Sequence, residues 1–304
     1  MVRTPLLPLD IDGVRLWAKA ECLQTGGSFK LRGATNRLLL LGPEERARGV
    51  VAFSSGNHAQ GVAIAARRLG IEATIVMPSD APAIKRDATL AAGARIVGYD
   101  RASQSREEIA ARIAGERGAT LVPSFDDVDI IEGQGSAGIE LGEQMLDLIG
   151  ATPDKVLVCC GGGGLSAGIA LALPDAEIVT VEPQGWDDMA RSIEAGVPVP
   201  VAADPPRTRC DALQTKLVSP LTLDALRDHH ARGIWVREVE IADAMAWAAR
   251  HLRLVVEPGG AVALAAALSS RAGVLTERSA LVLSGGNVDP IDYARILIGH
   301  SVTA

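Results

Sequence analysis

The sequence predicts an α/β protein of two lobes, built on mostly parallel open sheets flanked by helices. Short β-branched runs alternate with alanine-rich helical patterns along the chain, the order expected of βα units. Aromatic residues make up only 3% of the 304 residues, while Ala, Val, Leu and Ile abound, which suits aliphatic strand–helix layers. Turns rich in glycine and serine follow several apolar runs, at the strand ends where open α/β sheets bind ligands.

Taken in order, a glycine-flanked lysine segment at 26–33 precedes a helical run over 34–41. Residues 50–53 read as a strand, followed by a polar turn and a helix over 58–69. The next strand is 73–77, ended by Pro78, and the next helix is 83–92, stopped by Gly93. A strand at 95–97, a helix at 106–117 and a strand at 120–122 complete a compact lobe over 47–127. Beyond it, 135–149 reads as a helix, 155–160 as a buried strand, 165–173 as a helix and 177–181 as a strand. The proline-rich stretch 196–209 reads as a loop. Helices near 241–253 and 260–268 and a strand at 279–283 follow. The expected division is a large lobe of 1–46 plus 128–304 and a small mobile lobe of 47–127.

Apolar residues reach 48%, enough for a large core, and the charge balance is 30 − 37 = −7. No basic stripe offsets that balance, which argues against nucleic acid as a partner. Cys22, Cys159, Cys160 and Cys210 form no CxxC pair and read as buried, reduced thiols. The N-terminus lacks an apolar signal core and no run has transmembrane character. A cytoplasmic protein with no membrane contact is expected.

Three clusters could carry chemistry. Gly161, Gly162, Gly163 and Gly164 follow a buried strand and lead into Leu165 at a helix start. Residues without Cβ atoms can turn several N–H groups toward one point, and the helix dipole adds positive potential, so an anion such as phosphate fits. A flexible surface turn is the plainer alternative. Gly162, Gly164 and Gly168, with Glu182 after the next strand, also resemble a dinucleotide fingerprint, so an NAD(P)-binding oxidoreductase is a rival. That rival leaves two clusters unexplained. In Gly26–Gly33, Lys30 lies beside Phe29 near a helix N-terminus, where positive potential and burial lower an amine's pKa and make it nucleophilic. In Ser54–Gly61, polar groups sit between a strand and a helix, with Asn57 alternatively a simple N-cap. Residues 283–287 repeat the strand-end pattern.

Together SFKLRGA, SSGNHAQG, GGGGLSAG and LSGGNVD resemble the fold-type II pyridoxal-phosphate enzymes, in the serine/threonine dehydratase and serine racemase branch. The resemblance runs from Glu21 to Asp289. It implies a tryptophan synthase β-like fold whose large lobe binds pyridoxal 5′-phosphate. It further implies that Lys30 is the Schiff-base lysine, Phe29 packs beside the ring, and Asn57 bonds the ring's 3′-oxygen. By the same resemblance Gly161–Gly164 and Leu165 hold the phosphate, and Ser284 meets the pyridine nitrogen. A hydroxyl cannot keep that nitrogen protonated as a carboxylate would, so loss of a β-substituent is favoured over transamination. Ser54, Ser55 and His58 lie in the loop that receives the substrate carboxylate in this family.

Ser55 is the second base in racemases of the branch, so racemisation beside elimination is a possible outcome. Arg106 aligns with an arginine that reaches a second carboxylate in racemase-like members, which would suit 3-hydroxyaspartate. Glu182, Trp186 and Asp188 match the branch's Mg²⁺ or Ca²⁺ site, the middle position through its carbonyl. Gly26, Ala212 and Thr215 depart from the family's usual residues and bear on the substrate side. The chain leaves no room for an amino-acid-sensing regulatory domain, so feedback through one is not expected. The leading reading is a homodimeric ammonia-lyase converting serine, threonine or a related 3-hydroxy amino acid to a 2-oxo acid. Serine racemase or 3-hydroxyaspartate dehydratase is the alternative.

Overall fold

The computed structural model describes residues 1–299; residues 300–304, the end of the expected large lobe, lie outside the described residues. The chain opens with a hairpin, β1 (Leu6–Ile11) and β2 (Val14–Lys19), joined by Asp12 and Gly13. Both turn residues hold positive φ, 51° and 79°. That is the backbone a two-residue hairpin turn needs, and Asp-Gly favours it. Asp12-Gly13 between two apolar-alternating runs is the signal in the sequence for this hairpin, which the expected elements above do not include.

Next come α1 (Lys30–Leu39), α2 (Pro43–Arg48), β3 (Val50–Phe53), α3 (Asn57–Leu69), β4 (Ala73–Pro78) and α4 (Ala83–Ala91). They are followed by β5 (Arg95–Tyr99), α5 (Arg106–Arg117) and the short β6 (Thr120–Leu121). The four strands β3 to β6 form an all-parallel sheet in the order β5-β4-β3-β6. Its core joins Ile75 and Val62 to Leu31, Ala34 and Leu38 of α1. Helix α1 therefore packs into the aliphatic layer of this sheet.

α6 (Val128–Ile149) begins at 128 rather than the expected 135. Asp127 caps it by accepting from the Ile130 N–H at 3.0 Å. Glycines at 133, 135 and 138 are poor helix formers and masked its first turns in the sequence. They serve close packing instead. A Cβ on Gly135 would meet the Gly168 carbonyl in the next helix, and one on Gly133 would meet the backbone of Gly33 in α1.

The second half contains β7 (Lys155–Cys159), α7 (Gly164–Ala172), β8 (Glu177–Pro183), α8 (Asp188–Ala195), α9 (Pro220–Asp228) and β9 (Arg232–Val236). It continues through α10 (Glu238–Trp247), α11 (Pro258–Leu268), β10 (Ser279–Val282) and α12 (Pro290–Leu297). With the N-terminal hairpin these strands build a sheet in the order β1-β2-β10-β7-β8-β9, parallel except for β1. Helix α11 is apolar all round and buried from Pro258 to Ala267, as a helix covered on every side must be. The expected helix at 241–253 is α10 followed by a π-helical turn, Ala248–Leu252. The two-lobed, mostly parallel α/β expectation holds. No described helix is long and apolar enough to cross a membrane.

One buried ionic network positions the site. Arg32, two residues beyond Lys30, is bound by Glu21 and Glu140, each at 2.7 Å, and Lys19 also reaches Glu140 at 2.7 Å. A buried guanidinium persists only when it is paired. The pairing pins the first turn of α1 between the end of β2 and α6.

Candidate active site

Phe29, Lys30, Asn57, the Gly161–Gly164 turn and Ser284 converge in one cavity, whereas Glu182 and Asp188 stand outside it. Lys30 is the first residue of α1. Its Nζ donates to the Ser124 carbonyl at 2.8 Å and lies 5.1 Å from the centre of the Phe29 ring. Burial pulls the amine down from 10.5 to about 8, because desolvation penalises its charged form. The loop before it is tied to the end of β10. The Phe29 N–H donates to the Ser284 carbonyl at 3.1 Å, and Ser28 pairs with Gly285 in an antiparallel bridge.

Asn57 is the first residue of α3, with Gly56 as the N-cap, so the alternative in which Asn57 is merely the cap fails. Its side chain bonds Glu257 and Asn287. Gly163 caps α7 at φ +88°, a left-handed backbone that disfavours side chains, and a Cβ there would press on Thr222. Thr222 Oγ1 donates to the Gly162 carbonyl at 2.8 Å, which occupies the one acceptor of that residue. The first N–H groups of α7 have no acceptor within the helix, and the dipole makes this end positive. A flexible surface turn is thereby excluded: Gly162, Gly163 and Gly164 are all buried.

One cavity is lined by Phe29, Lys30, Asn57, Gly161, Gly162, Gly163, Gly164, Leu165 and Ser284. It holds a nucleophilic amine, a side-chain amide, a hydroxyl and a helix N-terminus built of glycine. That set fits a small aldehyde with an anionic tail, as the residues of pyridoxal phosphate's expected site should. Ser124, Phe125, Cys159 and Glu257 line it too and were missed. Ser124 and Phe125 follow β6, so a strand-end rule applied there would have found them. Glu257 precedes Pro258-Gly259-Gly260 and looks in sequence like an ordinary helix cap.

A wider cleft shares Lys30 and Asn57 with this cavity and is also lined by Ser54, Ser55, His58 and Arg106. Ser54 Oγ accepts from the Gly56 N–H at 3.1 Å. The His58 Nε2 lies 2.9 Å from the Val122 carbonyl, which can only accept, so Nε2 carries the proton and Nδ1 is a bare acceptor. Burial, reinforced by the charge of Lys30, pushes the imidazole down to about 3. His58 is therefore neutral, and its side chain has no N–H left for a carboxylate. Arg106 bonds Glu107 at 2.8 Å and lies 5.4 Å from the centre of the Phe53 ring. Lys85 forms an ion pair with Asp211 across this cleft.

Glu182 and Asp188 are both fully buried, so neither is simple surface charge. Glu182 accepts from the N–H groups of Met189 and Ala190, each at 2.8 Å, and so caps α8. Burial first, and then the charge of Asp188, raise it well above the ordinary carboxylate range. Both carboxyl oxygens of Asp188 are buried without a hydrogen-bond partner. The Trp186 indole donates to the Pro206 carbonyl at 2.7 Å. Among the described residues no group of three or more His, Cys, Asp or Glu side chains gathers to hold a metal. Glu182 lines neither the cavity nor the cleft, which removes the ribose-binding acid from the dinucleotide reading.

Comparison with known proteins agrees with the cavity. Residues 1–285 match the family described as pyridoxal-phosphate dependent enzyme. The chain is 41% identical to an L-threo-3-hydroxyaspartate ammonia-lyase of a Pseudomonas species, covering 98% of this chain and 93% of that protein. The fold superposes on maize serine racemase with a TM-score of 0.89 at 36% identity, covering 98% and 92% of the two chains. It superposes on a threonine deaminase from T.th. with a TM-score of 0.86 at 42% identity, covering 95% and 94%.

Proposed function

This chain belongs to the pyridoxal-phosphate dependent enzyme family, and from that premise we propose that it is an ammonia-lyase acting on a 3-hydroxy amino acid, with 3-hydroxyaspartate preferred over serine and threonine. The NAD(P) oxidoreductase reading is set aside by that membership. The observation that carries the proposal is the single cavity joining Lys30, Asn57, the Gly161–Gly164 turn and Ser284.

Bound pyridoxal phosphate supplies an electron-withdrawing ring that acidifies the substrate Cα–H. The backbone N–H groups from Gly161 to Leu165 would bind the anionic tail, and Phe29 and Asn57 would orient the ring. Ser284 would offer the ring nitrogen a hydroxyl, which carries no charge to hold a proton there. Lys30 takes the Cα proton at Nζ, and burial, by lowering the amine to about 8, frees a larger share of it as base near neutral pH than an ordinary lysine has. Ser54, Ser55 and the backbone at the start of α3 take the α-carboxylate, helped by the helix dipole. Over the whole reaction the substrate loses water across Cα–Cβ, then gains water as ammonia leaves, giving a 2-oxo acid.

The preference for a second carboxylate rests on the cleft beyond Lys30, where Arg106, Arg101 and Lys85 stand on the side of the β3–β6 sheet. A guanidinium binds a carboxylate by paired hydrogen bonds, and the side chains of serine and threonine offer it nothing comparable. Racemisation is the second reading, favoured by Ser55 lining the same cleft as Lys30.

A divalent cation, Mg²⁺ or Ca²⁺, is placed at Glu182 and Asp188 on the support of the two Asp188 oxygens, which are buried and bond no side chain. The Trp186 carbonyl and water complete the shell. The enzyme works as a cytoplasmic homodimer, with residues 47–127 closing over a large lobe of 1–46 and 128–304.

The test measures ammonia and 2-oxo acid from L-serine, L-threonine and the 3-hydroxyaspartate diastereomers, with chiral analysis of recovered substrate. A 3-hydroxyaspartate should lead in kcat/KM by at least about tenfold, and Arg106→Ala should erase that lead. Equal or better turnover of serine or threonine, unchanged in Arg106→Ala, would refute the substrate assignment.

A further inference from the structure

Glu257 stands at the N-cap of α11, where a carboxylate ordinarily accepts from the helix's own first N–H groups. Here the side chain makes no capping bond. It turns instead into the cavity, 5% exposed, and accepts at Oε1 from Asn57 Nδ2 at 2.5 Å. Its backbone is fixed separately: the Glu257 N–H donates to the Gly285 carbonyl at 3.0 Å, and its own carbonyl accepts from Gly260 and Ala261. A Cβ on Gly285 would fall on the Glu257 carboxylate, so this approach is built on a glycine.

The other end of the Asn57 amide is held as well. Its Oδ1 accepts from Asn287 Nδ2 at 2.8 Å, and that nitrogen also donates to the Gly26 carbonyl at 2.8 Å. Reversing the amide would set two NH₂ groups against each other and a carbonyl against the carboxyl. One orientation survives, and it leaves the second Nδ2 hydrogen of Asn57 as the group not used by these partners.

We propose that Glu257 is a positioning residue for the cofactor: it fixes the Asn57 amide so that an N–H, not a carbonyl, is offered to the cofactor's phenolic oxygen. The inference rests on the cavity being the pyridoxal-phosphate site. Burial, and then the charge of Asp211, push the Glu257 carboxyl up to about 8, against the opposing effect of Lys85. The thiols of Cys22, Cys159 and Cys210 also act on it, and the Lys30 amine lines the same cavity. Neutral or ionised, the carboxyl still offers Asn57 an acceptor oxygen, and only ionisation adds charge beside the ring.

The experiment measures pyridoxal-phosphate affinity and the pH titration of the bound cofactor's visible band in wild type, Glu257→Gln and Glu257→Leu, alone and combined with Asn57→Ala. Glu257→Gln keeps an acceptor and should bind within about threefold of wild type, whereas Glu257→Leu should weaken binding at least about tenfold. In the Asn57→Ala background Glu257→Leu should add almost nothing, because the two act through one contact. The wild-type band should titrate near pH 8 and that of Glu257→Gln should not, a readout that survives even if Glu257→Leu fails to fold. The inference is overturned if Gln harms binding as much as Leu, if Leu costs the same with and without Asn57, or if the Gln variant titrates like wild type. Failure of the wild-type protein to take up pyridoxal phosphate would instead overturn the cavity assignment.

Discussion

Lys30 and Ser124 lie 94 residues apart in the chain, yet the lysine Nζ donates to the serine carbonyl at 2.8 Å. One residue starts α1 and the other follows β6, so the contact ties the helix packed on the β3–β6 sheet to the end of that sheet's own strand. It holds the amine inside the cavity that the glycine turn at the start of α7 also lines.

The same contact has a pH signature. The Lys30 amine is pulled down from 10.5 to about 8 by burial, so below pH 8 the folded protein holds it increasingly protonated and unreactive. The rate at which apo-protein captures pyridoxal phosphate should rise about tenfold per pH unit below 8, then level off. A stopped-flow series that continues to climb toward pH 10 would show an ordinary, solvated lysine.

How much of this was legible in the sequence depended on whether a signal was local. The strands β3, β4 and β7 and the helices α3 and α5 announced themselves through apolar runs and glycine stops. The glycine turn and Lys30 did so through residue types that few other roles require. Hidden features shared one property: their reason lies in a distant partner. The glycines of α6 look like helix breakers until α1 and α7 are in place beside them. Glu257 looks like a cap until Asn57, 200 residues away, takes its carboxylate. His58 looks like a carboxylate ligand until the Val122 carbonyl claims its N–H.

Two glycine-to-alanine substitutions should separate close packing from propensity. In Gly168→Ala the new methyl would meet the Ile131 carbonyl and the Gly135 nitrogen, forcing α6 from α7. A loss of about 1–3 kcal/mol is expected, together with weaker pyridoxal-phosphate binding, since the proposed anion cradle stands at the start of α7. Gly115→Ala in α5 meets nothing within 4 Å and should gain about 0.5–1 kcal/mol. Denaturant titration of both variants checks the pair.

The buried Asp188 carboxylate predicts a metal response in the intact protein. Millimolar Mg²⁺ or Ca²⁺ should raise the wild-type Tm by several degrees through selective binding to the folded state, and chelator should reverse it. Asp188→Asn, which removes the charge while keeping the shape, should abolish the response. An unchanged wild-type Tm across added Mg²⁺, Ca²⁺ and chelator would remove the cation from the site.

The most direct measurement adds pyridoxal phosphate to the purified protein, reduces it with borohydride and locates the adduct by peptide mass spectrometry. A visible band near about 410 nm should appear, vanish on reduction, and leave the pyridoxyl mass on the peptide containing Lys30. Absence of the band, or label spread over exposed lysines with Lys30 unmodified, would contradict the account.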